Sequence, residues 1–279
     1  MDQGLSCSHE RCLGLRGSIH PILSIIIVWI FLLSGCDSRS TRSSVTVFAA
    51  SSLTDVLPAL QKAFEKEHPE IDVQLVFGGS QILRLQIEQG ATADLFISAH
   101  PEHVQSLIEQ GLFKDPQPIA ENPLVVMISP DRAQEITRFE QLKKVRQLVL
   151  GDIHVPLGTY TEEVFERADP VMGSGFVEQL RSAVVSRESN SRLVRSKVLL
   201  GEADAAFVYE SDARNTEAGV IRLPDELSAK ARYVFATRVS GASEATKQFR
   251  QFLISANAGA VFLEYELPIL IGDGDPRDE

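Results

Sequence analysis

Cysteine is scarce in this sequence: three residues in 279, at positions 7, 12 and 36. From residue 37 onward there is no disulfide, no thiolate metal ligand and no cysteine nucleophile. Basic residues are also few, 27 Lys plus Arg against 38 Asp plus Glu, giving a formal net charge of -11. That balance argues against nucleic acid or an anionic membrane face as a partner. Histidine is sparse. Only His68, His100, His103 and His154 lie beyond residue 40, which leaves few bases for a Ser-His-Asp arrangement. No P-loop, Gly-x-Ser-x-Gly elbow or Gly-x-Gly-x-x-Gly occurs. The one long apolar run, Ile22 to Leu33, is too short to span a bilayer comfortably.

What is there begins with targeting. Arg11 and Arg16 precede the apolar run, which ends in Leu33-Ser34-Gly35-Cys36. The order of small residues before a cysteine resembles a bacterial lipobox. It implies a lipoprotein signal peptide over 1–35, cleavage before Cys36 and acylation of its thiol; a plain secretory signal or an N-terminal anchor is the alternative. Asp37 after the cysteine resembles an inner-membrane retention signal. The polar, Ser-rich stretch DSRSTRSS that follows reads as part of a flexible tether spanning 36–44.

From residue 45 strands and helices alternate. Val45–Ala49, Ile71–Phe77 and Leu95–Ile97 carry strand patterns, and Leu53–Lys66, Ile82–Ile87 and Glu102–Gln110 carry helical spacing between and after them. A second set has strands at Leu124–Ile128, Leu148–Leu150 and Ala205–Val208, with helices near Leu157–Arg167, Phe176–Leu180 and Arg192–Leu200. Tyr233–Thr237 reads as a last strand, with helices at Lys247–Ser255 and Ala258–Glu266. Repeated βαβ units predict an α/β fold with a parallel sheet between helices, in two lobes on grounds of size.

The recurring feature is a strand that ends in Ser, Gly or Thr just before a helix. Ligands in open α/β sheets sit at such carboxyl ends. The first N–H groups of a helix lack intrahelical partners and carry partial positive charge, so they form an anion site without basic side chains. Ser52 opens Ser-Leu-Thr-Asp, a near capping box with Asp55, although Pro58 requires a kink or a later helix start. Ser80 repeats the arrangement after Gly78-Gly79. In Gly151-Asp152-Ile153-His154-Val155-Pro156-Leu157-Gly158, Pro156 suits a first helical position, leaving the Leu157 and Gly158 amides free. Tyr209 ends a strand with a hydroxyl that can reach the same cleft, or simply packs. Asp152 with His154 suggests acid/base or metal chemistry but has no third partner at a supporting spacing. His100-Pro101-Glu102-His103 resembles a metal-ligand spacing, but Pro101 places His100 outside the helix and the gap is not His-Glu-x-x-His, so it reads as a solvated helix start.

Taken in order, Phe48-Ala49-Ala50-Ser51-Ser52-Leu53-Thr54, Gly79-Ser80, Gln86 to Ala91, Ala93 to Ala99, Gly151 to Tyr160 and Gly201 to Ala213 resemble the molybdate-binding protein of bacterial molybdate ABC transporters. The resemblance implies a type II periplasmic-binding-protein fold, two α/β lobes joined by two crossover strands with a ligand cleft between them. Lobe I takes 45–121 plus 233–279, and lobe II takes 122–232. It implies an oxyanion held by the Ser52 and Ser80 hydroxyls, the Leu157 and Ser191 amides and the Tyr209 hydroxyl, with no catalytic residues, no direct metal ligands and no cofactor. Two departures stand out: the loop Gly151 to Pro156 is one residue short, and Asn190-Ser191-Arg192 has serine where the family has an aliphatic residue.

The chemistry agrees with the resemblance. Molybdate, tungstate and sulfate are fully deprotonated tetrahedral dianions near neutral pH and offer only acceptors, whereas phosphate keeps a proton. A pocket of donors leaves that proton unpaired, a penalty of about 1–3 kcal/mol when buried. The expectation is a non-enzymatic, monomeric solute-binding lipoprotein of the cell envelope. It binds molybdate, and tungstate with it, and hands the anion to an ABC permease while a lipid anchor holds it to the membrane. A receptor of the same fold for sulfate or another small oxyanion is the alternative. Glu210 is expected to point away from the ligand.

Overall fold

The computed structural model describes residues 42–173 and 175–270. The signal segment 1–35, Cys36 and the tether up to residue 41 lie outside the described residues.

Strand β1 (Ser43–Ala50) starts two residues before the expected run and takes Ser43 and Ser44 out of the expected tether. Val45, Val47 and Ala49 are fully buried on one face, and on the other Phe48 packs into a second apolar cluster with Leu83 and Phe96, so the strand is covered on both sides. Strands β2 (Ile71–Gly78) and β3 (Leu95–Ser98) lie parallel on either side of it. Helices α1 (Val56–Glu67) and α2 (Ser80–Glu88) make the crossovers, and α3 (Pro101–Glu109) follows β3. Pro58 is accommodated by a later helix start: it is the third residue of α1, where its missing N–H has no intrahelical partner to lose.

The next strand, β4 (Phe113–Ile128), is far longer than the Leu124–Ile128 run that the sequence marks. Its first eleven residues contain Pro116, Pro118 and Pro123, Asp115 at φ 54° and two register shifts, so this stretch does not read as a strand. It pairs antiparallel with β9 (Lys230–Arg238) from Phe113 to Pro123, then passes at Leu124 to β7 (Ala205–Tyr209) and at Val125 to β8 (Gly219–Arg222). Beyond β7, β5 (Leu148–Gly151) and β6 (Val184–Glu188) are parallel again. Among the described residues the sheet runs β2-β1-β3-β9-β4-β7-β5-β6, with β8 on β4. The sheet that the βαβ pattern predicts as parallel is therefore mixed. Each half is built on parallel βαβ units, but β9 and β4, which join the halves, run antiparallel because the chain leaves by one and returns by the other.

Helices α4 (Pro156–Met172), α5 (Phe176–Ser182), α6 (Ser191–Leu199) and the short α7 (Glu210–Ala213) belong to the second half. Helices α8 (Glu244–Leu253) and α9 (Ala256–Glu264) return to the first, where Phe249 and Phe252 pack on Phe64 of α1 with ring centroids 5.0 and 5.4 Å apart. Phe64 is fully buried; a truncation of this kind to Ala costs about 3–5 kcal/mol.

Candidate functional site

The carboxyl ends of β1, β2, β5, β6 and β7 converge, and the residues just after them start helices. Around that point lies a small cavity of about 10 Å³. All five predicted positions, Ser52, Ser80, Leu157, Ser191 and Tyr209, line it. Between them stand Ala50, Gly78, Gly79 and Ala99, whose small side chains keep the backbone accessible. Among the described residues, no carboxylate, histidine, lysine or arginine is part of the lining.

The hydroxyls are arranged as donors. Ser52, in the 3-10 turn Ser51–Leu53, accepts a hydrogen bond at Oγ from the Tyr233 hydroxyl at 2.7 Å. Ser80, the first residue of α2, accepts at Oγ from the Ala99 N–H at 3.1 Å. Neither hydroxyl donates to any acceptor among the described residues, so each has its own proton free for something in the cavity. The Tyr209 hydroxyl is buried and has no hydrogen-bond partner among the described residues. Burial pushes that phenol well above its usual pKa, so it remains a donor at every physiological pH. Ser191 Oγ lies 3.3 Å from Ser51 Oγ, so its hydroxyl meets the opposite wall of the cleft.

Backbone amides complete the set. The turn at Ser51, α2 and α4 begin after Ala50, Gly79 and Val155, and no side chain caps any of the three. Helices α3, α8 and α9, by contrast, are capped by His100, Ser243 and Ser255. Leu157 and Ser191 are the second and first residues of α4 and α6, positions whose N–H groups have no intrahelical acceptor. Asn190 caps α6 at the Leu193 N–H, 3.1 Å away, and leaves the Ser191 amide alone. Two glycines permit the close approach: a Cβ on Gly79 would collide with the Ser189 carbonyl oxygen, and one on Gly158 with that of Asp152.

The predicted capping box at Ser52 does not form. Instead the 3-10 turn intervenes, and the Asp55 carboxylate accepts from Arg192 Nη2 at 2.6 Å, on the other half of the molecule. Arg192 Nε also donates to the Ser51 carbonyl at 3.2 Å and sits 3.2 Å from the fully buried Asp212, whose pKa is raised by burial against the pull of that guanidinium. Gln81 Nε2 donates to the Ser189 carbonyl at 2.8 Å and the Tyr160 hydroxyl to the Ala99 carbonyl at 3.2 Å. These contacts hold the halves together around the cavity; Arg192 closes the Asn190-Ser191-Arg192 stretch, whereas no sequence motif marks Gln81 or Tyr233.

The other candidates separate from the site. Asp152 accepts the His154 N–H at 3.0 Å in a local turn, and His100 caps α3. Burial lowers the pKa of His100 and holds that of His103 to about 4, and no group of three potential metal ligands occurs among the described residues. Glu210 pairs with Arg222 at 2.7 Å and is not in the cavity wall.

Residues 45–265 match the family model of bacterial extracellular solute-binding proteins. The molybdate-binding protein ModA of Escherichia coli is 30% identical over 251 residues, covering 84% of this chain and 92% of that protein. A solved structure from Clostridium difficile, the substrate-binding domain of a putative molybdenum ABC transporter, is 26% identical with a TM-score of 0.62 and coverage of 81% and 98%. The sulfate-binding protein SubI of Mycobacterium tuberculosis superposes with a TM-score of 0.72 at 16% identity, covering 82% and 87%, and at that identity shows the shared fold alone. With its two-lobed α/β architecture and its cavity at the converging strand ends, the chain is a ModA-like member of the bacterial extracellular solute-binding protein family.

Proposed function

We propose that this solute-binding protein captures molybdate, and tungstate with it, and delivers the anion to an ABC importer. The observation that carries the reading is a cavity with hydroxyl and amide donors in its wall and, among the described residues, no carboxylate, histidine, lysine or arginine, with the Tyr209 hydroxyl unpartnered beside it. Ser52, Ser80 and Tyr209 hydroxyls and the Leu157 and Ser191 amides supply the hydrogen bonds. Helix N-termini supply roughly half a positive charge each toward a dianion. Local dipoles of this kind act at hydrogen-bond range, so the net charge of -11 does not oppose capture. A fully deprotonated oxyanion matches every donor; hydrogen phosphate would bury its proton without an acceptor.

The lobes are proposed as 45–121 plus 233–279 and 122–232, supported by the partner change of β4 next to Pro123. Closure of the lobes on the anion would be the form the permease reads. Acylation at Cys36 would hold the monomeric receptor at the outer face of the membrane. Calorimetric titration of the purified protein with molybdate, tungstate, sulfate and phosphate tests the assignment. Molybdate and tungstate are expected to bind tightest and phosphate weakest. Sulfate binding more tightly than molybdate would transfer the assignment to a sulfate receptor of the same fold.

A further inference from the structure

A buried hydrogen-bond chain leads away from the cavity behind Ser52. Asn122 of β4 is fully buried; its Nδ2 donates to the Tyr233 hydroxyl at 2.9 Å and to Ser211 Oγ at 2.7 Å. Its Oδ1 accepts the Ser211 N–H at 3.3 Å. That bond fixes the amide: a backbone N–H can only donate, so the oxygen faces Ser211 and the nitrogen faces Tyr233. Tyr233, also fully buried, thus receives a donor and needs an acceptor for its single proton. Among the described residues its other hydrogen-bond partner is Ser52 Oγ. Burial raises the pKa of the Tyr233 phenol, so the proton stays in place. Every link therefore runs one way, from Asn122 through Tyr233 to Ser52 and out into the cavity.

We propose that Asn122 and Tyr233 are positioning residues that hold Ser52 as a donor, and so set a preference for oxyanions that carry no proton; this rests on the oxyanion reading above. A free serine hydroxyl donates or accepts as its ligand demands. Ser52 loses that freedom because Tyr233 takes one of its two lone pairs and, among the described residues, no protein acceptor is left for its proton, which is turned to the cavity. Both positioning residues lie where β4 and β9 run side by side between the two halves, with Asn122 opposite Ala231 and Ala120 opposite Tyr233. Ser211, two residues after Tyr209, anchors the start of the chain, so the same network touches both walls of the cavity.

The test is a calorimetric titration of the protein with molybdate, followed by displacement with phosphate, at mildly alkaline pH. Both anions are dianions there, and of the two only phosphate carries a proton. In Tyr233→Phe, Ser52 regains its freedom to accept. The ratio of molybdate to phosphate affinity is expected to fall about 3- to 10-fold, one neutral hydrogen bond's worth. In a Ser52→Ala background the same Tyr233→Phe change should leave the ratio where Ser52→Ala alone puts it. Asn122→Asp serves as the second variant, since it replaces the donor to Tyr233 by an acceptor of the same shape and should move the ratio in the same direction. Equal losses for both anions in both variants, with the ratio unmoved, would make the chain structural and overturn the proposal. A wild-type protein that binds no tetrahedral oxyanion would instead remove the oxyanion reading and this proposal with it.

Discussion

Replacing Tyr209 by phenylalanine removes one oxygen from the end of β7 and leaves the ring packing in place. In the structure that oxygen is buried and makes no hydrogen bond with any described residue. An unsatisfied buried hydroxyl costs about 1–3 kcal/mol, so its removal relieves the unliganded protein by up to that amount. For a chain of this size each kcal/mol corresponds to about 2–4 °C in melting temperature. With an oxyanion bound, the same oxygen gives up a hydrogen bond to a charged acceptor, about 1.5–3 kcal/mol, which is an affinity loss of about 10- to 150-fold. The two effects have opposite signs. Differential scanning fluorimetry without anion should show Tyr209→Phe melting no lower than wild type, and higher where the cleft stays closed. Calorimetry with molybdate should show the weakened binding. A lower melting temperature together with undiminished affinity would reduce Tyr209 to a packing residue and refute the placement of the anion.

Ser80→Ala should behave differently, because it strips the Ala99 N–H of its acceptor as well as the ligand of a donor. Both melting temperature and affinity are expected to fall, each by about 1–3 kcal/mol, as read by the same two assays. Gly79→Ala places a methyl against the Ser189 carbonyl across the cleft. Overpacking of about 1–3 kcal/mol there predicts at least about a fivefold loss of anion affinity in calorimetry, with far less effect on unliganded melting if the clash is met only on closure. His103 supplies a pH signature. Its folded pKa is lowered from 6.5 to about 4, first by burial and then by His100 and Arg84. The unfolded chain therefore binds more protons between about pH 4 and 6.5, so the stabilisation is complete above that window and is lost as pH falls through it. Urea midpoints should decline across the same range, and His103→Gln should flatten the decline.

Much of the first half is legible in the sequence because its strands and helices are local patterns: Val45, Val47 and Ala49 alternate, and Leu57, Leu60 and Phe64 share a helical face. The site was legible in part for the same reason, since small residues at strand ends mark where a ligand meets bare backbone. The resemblance to a known family then joined five such positions, and the structure sets all five around one cavity. Other features escaped. The first half of β4 is held by β9 despite its prolines, and β6 and β8 are short and half exposed, with little pattern to read. Ser52 and Asp55 satisfied a local capping rule that Arg192, far along the chain, overrides. Asn122 and Tyr233 have no motif at all. Their role comes from bonds spanning 111 and 181 positions of sequence, which no local window contains.

The place of β9 in the sheet also dictates an order of assembly. Among the described residues it is the last strand in the sequence, yet it lies between β3 and β4, near the middle of the sheet. As the chain emerges from its N-terminus, β1, β2 and β3 can pair early, but one edge of β3 stays open until residues 230–238 arrive. The segment containing β5, β6, β7 and β8 is continuous and meets the later part of β4 without waiting for anything downstream. The half that is second in sequence can therefore finish first, and the half that begins the chain closes last. Long-range pairing of this kind slows folding and leaves a bare strand edge exposed meanwhile.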